Sequence, residues 1–130
     1  MIELEQLKHL ALGCAGVTRP CGCAVIPLPG WERVPPSFPE TQMRRIGLLY
    51  DAAGGGLTYQ EYHPSGTNYW SEDAPVALHY YPYNGCTVEQ CAACERVYLR
   101  YAEGGGHHME QRIRALNHPQ LISDDPLAPA

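Results

Sequence analysis

The chain has 130 residues, 45% of them hydrophobic and 18% charged, with a net charge of −5 and a pI near 5.6. A chain of roughly this size makes about one domain and one modest core. The acidic balance supplies no field for a phosphate backbone, which argues against nucleic acid as the partner. No stretch approaches the ~18 consecutive apolar residues of a membrane helix, so no membrane association is expected.

Thirteen glycines and twelve prolines call for many turns, and nine of the aromatic residues are tyrosines, whose apolar ring and polar tip suit half-buried sheets and contact surfaces. Met1 to Leu12 carries Glu3, Glu5 and Lys8, so it lacks the unbroken apolar run of a secretory signal, and the expected compartment is the cytoplasm. Thiols are kept reduced there. The six cysteines, Cys14, Cys21, Cys23, Cys86, Cys91 and Cys94, then read as metal ligands or redox thiols before they read as disulfides.

In chain order, Leu4, Leu7, Leu10 and Ala11 give a short amphipathic helix over Ile2–Leu12, stopped by Gly13. Gly13 to Pro36 is punctuated by Cys21-Gly22-Cys23 and five prolines or glycines beyond them, and reads as a loop with one short strand at Ala24–Ile26. Trp31 is expected to anchor that loop in the core or at its rim. Ser37 with Glu40 resembles a capping box for a second short helix, Phe38 to Arg45. Strand patterns follow at Ile46–Tyr50, Leu57–Tyr62, Thr67–Trp70 and Val76–Tyr81, separated by turns at Asp51–Gly56 and His63–Gly66.

The most informative stretch is Cys91-Ala92-Ala93-Cys94 followed by the alternating Glu95–Ala102 and Gly104-Gly105-Gly106. Two thiolates at this spacing can hold one side of a tetrahedral Zn²⁺, and a hairpin after such a knuckle is the layout of a zinc ribbon. A hairpin centred on Gly105 would pair Tyr101 with Met109, Val97 with Ile113 and Arg100 with Glu110, although Met109, Ile113 and Leu116 also fit a helical stripe. Cys21 and Cys23 are the best second pair, because their loop is free to wrap an ion. Cys14, Cys86, His107 and His108 are the alternative ligands.

The expected fold is α+β: a mainly antiparallel sheet, one or two short helices, and a zinc-knuckle/β-hairpin element near the C-terminus. Residues 1–122 form the expected single domain, and 123–130 a frayed tail. Catalysis finds less support. Neither His-Glu-x-x-His nor a Gly-x-Ser-x-Gly elbow is present, and the segment after Cys94 alternates as a strand where a thioredoxin-like dithiol would open a helix. The expected function is therefore that of a non-catalytic zinc protein binding another protein, of the immunity or accessory kind, with a zinc hydrolase or dithiol oxidoreductase as the alternative.

Pro82-Tyr83-Asn84-Gly85-Cys86, Cys91-Ala92-Ala93-Cys94, Tyr98–Gly106 and Arg112-Ile113-Arg114, with Ile26–Trp31 and His63–Trp70, resemble a group of small proteobacterial proteins. That resemblance covers most of the chain. It implies a bacterial cytosolic single domain and no particular activity.

Overall fold

The structure is a computed structural model that describes residues 1–50, 58–105 and 108–128. It is an α+β arrangement of one α-helix, α1 (Leu4–Ala15), and a five-stranded sheet. The strands are β1 (Glu32–Arg33), β2 (Met43–Leu48), β4 (Thr87–Cys91), β5 (Val97–Gly105) and β6 (His108–Ala115), in the spatial order β1-β6-β5-β4-β2, every neighbouring pair antiparallel. β3 (Val76–Ala77) and β7 (Ile122–Ser123) form a separate parallel pair. The expected turn over Asp51–Gly56 and the candidate ligand His107 lie outside the described residues.

The sheet is covered on both faces, and this decides its register. One face meets α1 through Leu7, Ala11 and Cys14, and shares a core with Trp31, Val88, Val97, Leu99, Tyr101 and Leu116. The other carries a smaller core of Leu28, Phe38, Tyr98 and Ile113, completed by Cys23, Cys91 and Cys94. Five successive residues of β5, Val97 to Tyr101, are therefore buried. Alternation fixes register only where one face is wet. The hairpin forms as expected, but its pairing is displaced by three residues: Tyr101 faces Arg112, Arg100 faces Ile113, and Glu103 faces Glu110.

Other elements also depart from their local patterns. α1 runs past Gly13 to Ala15, because Cys14 is buried and its sulfur accepts the Val97 N–H at 3.2 Å. No strand forms at Ala24–Ile26; Gly22–Ala24 is a single 3₁₀ turn that leaves Val25 and Ile26 exposed. The expected helix from Phe38 to Arg45 is replaced by a 3₁₀ turn at Glu40–Gln42 leading into β2, since Glu40 pairs with Arg100 of the sheet. Arg44 and Arg45 then sit exposed on an edge strand, where charge discourages pairing with another chain.

Residues 58–75 form no strand despite their alternating tyrosines, and Val76–Tyr81 contributes only the two residues of β3. Side-chain contacts hold this region. Arg114, 1% exposed, donates from Nη2 to the carbonyls of Glu72 and Ala74 at 3.0 Å each, from Nε to the Pro29 carbonyl at 3.1 Å, and from Nη1 to the Tyr83 hydroxyl. Trp31 is a core anchor as expected: its Nε1 donates to the Tyr83 hydroxyl at 3.1 Å, and its ring meets Tyr69, Tyr83 and Tyr101. Gly30 allows the close approach this needs, because a Cβ there would lie 2.7 Å from the Trp70 carbonyl oxygen.

Candidate metal centre

Cys91 ends β4, and the chain then turns through Ala92 and Ala93 to Cys94 and enters β5. The turn is closed by two backbone bonds, Glu95 N–H to the Cys91 carbonyl at 2.8 Å and Cys91 N–H to the Arg96 carbonyl at 2.9 Å. Reversing so tightly puts Glu95 in the left-handed region, φ 73°. Side chains other than glycine adopt it at a cost of roughly 1–2 kcal/mol.

The second pair comes from the loop after α1. Cys21 and Cys23 flank the start of the Gly22–Ala24 turn, whose Ala24 N–H bonds the Cys21 carbonyl at 3.0 Å. An extended strand would hold residues i and i+2 about 6–7 Å apart, too far for one ion. Winding the chain brings both sulfurs to the same place.

The four thiols meet there. Cys21 Sγ lies 3.8 Å from Cys91 Sγ, Cys23 Sγ lies 3.5 Å from Cys94 Sγ, and all four sulfurs are within 4.8 Å of one another. Tetrahedral thiolate bonds of about 2.3 Å place sulfurs about 3.8 Å apart, so the cluster has the dimensions of a four-sulfur site before any ion enters. Cys23, Cys91 and Cys94 are buried, and Cys21 is half-buried. Such a cluster can hold a metal ion.

Neighbouring groups tune it in ways the sequence did not announce. Gln42 Oε1 accepts from the thiols of Cys21 at 3.6 Å and Cys91 at 3.4 Å, while the Gln42 carbonyl accepts the Ala92 N–H at 2.7 Å. The Tyr98 hydroxyl donates to the Cys23 sulfur and carbonyl at 3.2 Å each. Arg19 Nη2 bonds the Cys94 carbonyl at 2.8 Å, and the Arg96 N–H reaches the Cys94 sulfur at 3.5 Å. Burial pushes the Cys23 and Cys91 thiols up. Burial also opposes ionisation of Cys94, but the Arg96 backbone and guanidinium outweigh it and bring that thiol down to about 7. Cys94 is thus the first of these to become a thiolate.

The remaining candidates stand apart. Cys14 is committed to Val97, and Cys86 is fully buried with its thiol donating to the Pro82 carbonyl at 3.3 Å. Two further histidines are also outside the cluster: His63 is engaged by Thr67 and Glu61, and His79 by Asp124. Arg96 was legible as a cation two residues after Cys94; Gln42, read as part of a helix, carried no such signal. The chain matches no family model, no curated protein and no solved structure, which leaves the chemistry of its own residues to carry its function.

Proposed function

We propose that Cys21, Cys23, Cys91 and Cys94 bind one Zn²⁺ in a closed structural site, and that the protein acts by binding another protein rather than by catalysis. The observation that carries this reading is the convergence of four sulfurs from segments 70 and 71 residues apart, at separations a tetrahedral thiolate ion requires. Soft thiolate donors in that geometry suit zinc, with iron as the competitor. Four protein donors leave no position for a substrate or water, which separates a structural from a catalytic zinc.

The cluster also completes the smaller core, so the ion would tie the N-terminal loop to the sheet and supply stability that the few apolar residues on that face do not. A non-catalytic role of the accessory or immunity kind is supported further by the net charge of −5, which favours a basic partner, and by Tyr59, Trp70 and Met109, all more than half exposed.

Native mass spectrometry of the reduced, untagged protein tests the site. The expected result is one zinc per chain, four thiols protected until chelation, and loss of the fold when the metal is removed. Cys91→Ser should lose the metal and Cys14→Ser should keep it. A metal-free protein with six reactive thiols would overturn the proposal.

A further inference from the structure

A second site lies toward the other end of β5 from the cysteines. Tyr59, Tyr81 and Tyr101 line a recess of about 170 Å³, with Pro82, Glu103 and Gly104 among its remaining walls. The Tyr59 and Tyr81 centroids are 5.5 Å apart with their planes at 44°, and those of Tyr81 and Tyr101 are 5.9 Å apart at 77°. Neighbouring rings that line the recess are therefore inclined to one another instead of lying in one plane. Tyr59 is 81% exposed, so burial in the core does not account for this bulky ring.

The chemistry of these walls selects a ligand. Aromatic faces carry the negative lobe of the ring quadrupole and attract cations. Glu103 adds a carboxylate at the rim, shared with Arg112. Among the described residues its Oε2 meets the Tyr101 hydroxyl at 3.2 Å and Arg112 Nε at 3.5 Å. Burial, with Glu103 and Glu61 nearby, holds the Tyr81 phenol above its ordinary range. The volume is below the roughly 300 Å³ at which drug-sized pockets begin, which leaves room for one head group.

We infer that this recess binds an alkylammonium head group, held against the three tyrosine rings with Glu103 as its counter-ion. The head group belongs either to a lysine side chain, free or methylated, of a protein partner or to a small free amine. The lysine source rests on the protein-binding reading above, whereas cation binding itself does not depend on the metal or on any partner.

The test is an NMR shift titration of the metal-loaded full chain with tetramethylammonium chloride, at constant ionic strength, against neutral tert-butanol. Saturable shifts around Tyr59, Tyr81, Tyr101 and Glu103 are expected with the cation alone. Tyr59→Ala should weaken binding about five-fold or more, Tyr59→Phe should retain it, and Glu103→Gln should weaken it. Competition by a lysine or trimethyl-lysine peptide would assign the ammonium to a protein side chain. Saturation without such competition would assign it to a free amine, leaving the recess assignment standing and the partner reading without this support. No saturable shift, an equal response to tert-butanol, or indifference to Tyr59→Ala would overturn the inference.

Discussion

Glu95 and Gln42 show how single residues set the cysteine centre. Glu95 holds a backbone conformation that glycine adopts freely, so Glu95→Gly is expected to raise stability by up to about 1 kcal/mol, less whatever entropy glycine adds to the unfolded chain. Glu95→Val should lower it; urea midpoints of the three proteins compare them directly. At Gln42 one amide oxygen meets two thiols, an arrangement suited to protonated sulfur. Thiolates want donors instead, and the amide nitrogen of the same side chain supplies one. A carboxylate cannot, so Gln42→Glu should weaken metal affinity by about ten-fold or more through repulsion, while Gln42→Met should keep most of it. Competition with a chromophoric chelator would read the difference.

At the level of elements, the Glu40–Gln42 turn is strapped to β5 by Arg100. Arg100 is 7% exposed, and its guanidinium grips both oxygens of Glu40, bonds Glu89 at 3.0 Å and lies 5.7 Å from the Phe38 ring centre. Because Gln42 is on the same turn, the strap also positions a neighbour of the cysteines. Arg100→Met should cost about 3 kcal/mol by stranding Glu89, and should loosen metal binding as well. The hydrogen bond from Arg100 holds the Glu40 carboxyl below its ordinary value. A depressed carboxyl contributes stability that is present above its unfolded value, near 4.5, and is lost as pH falls through the folded value. Glu40→Gln should flatten that part of the acid limb of a stability-versus-pH curve.

Across the whole molecule, one buried side chain holds loops that have little secondary structure of their own. Arg114 gathers residues 29, 72, 74 and 83 around one buried guanidinium, and its four bonds leave no substitute for a shorter side chain. Arg114→Ala is expected to destabilise by about 3 kcal/mol or more, and Arg114→Lys to rescue little, because a point charge cannot reproduce the planar fork. Burial raises the thiols of Cys14 and Cys86 and the phenol of Tyr83. Their unfolded forms ionise first as pH rises, so the stability they contribute is intact below about pH 9 and is lost above it as pH climbs through the raised folded values. Cys86→Ala, measured by thermal melts in alkaline buffer, should shift that loss upward in pH.

The amino-acid sequence by itself determined the helix stripe of Leu7 and Ala11 and the strand after Cys94; it favoured the hairpin over a helix and Cys21/Cys23 over Cys14 and Cys86 as the partners of Cys91/Cys94 without excluding either alternative. The stripe, the strand and the spacing within each thiol pair are short-range features that a local pattern records, whereas the meeting of pairs 70 and 71 residues apart is decided by the fold. The tertiary structure alone decided the three-residue register of the hairpin, because both faces of β5 are buried and alternation carries no preference between them. It decided the fate of Phe38–Arg45 too: the carboxylate of Glu40 gains more from Arg100, 60 residues away, than from capping a helix. The strand-like pattern of 58–75 carries no signal of its irregular path, which only the packing around Arg114 and Trp31 shows.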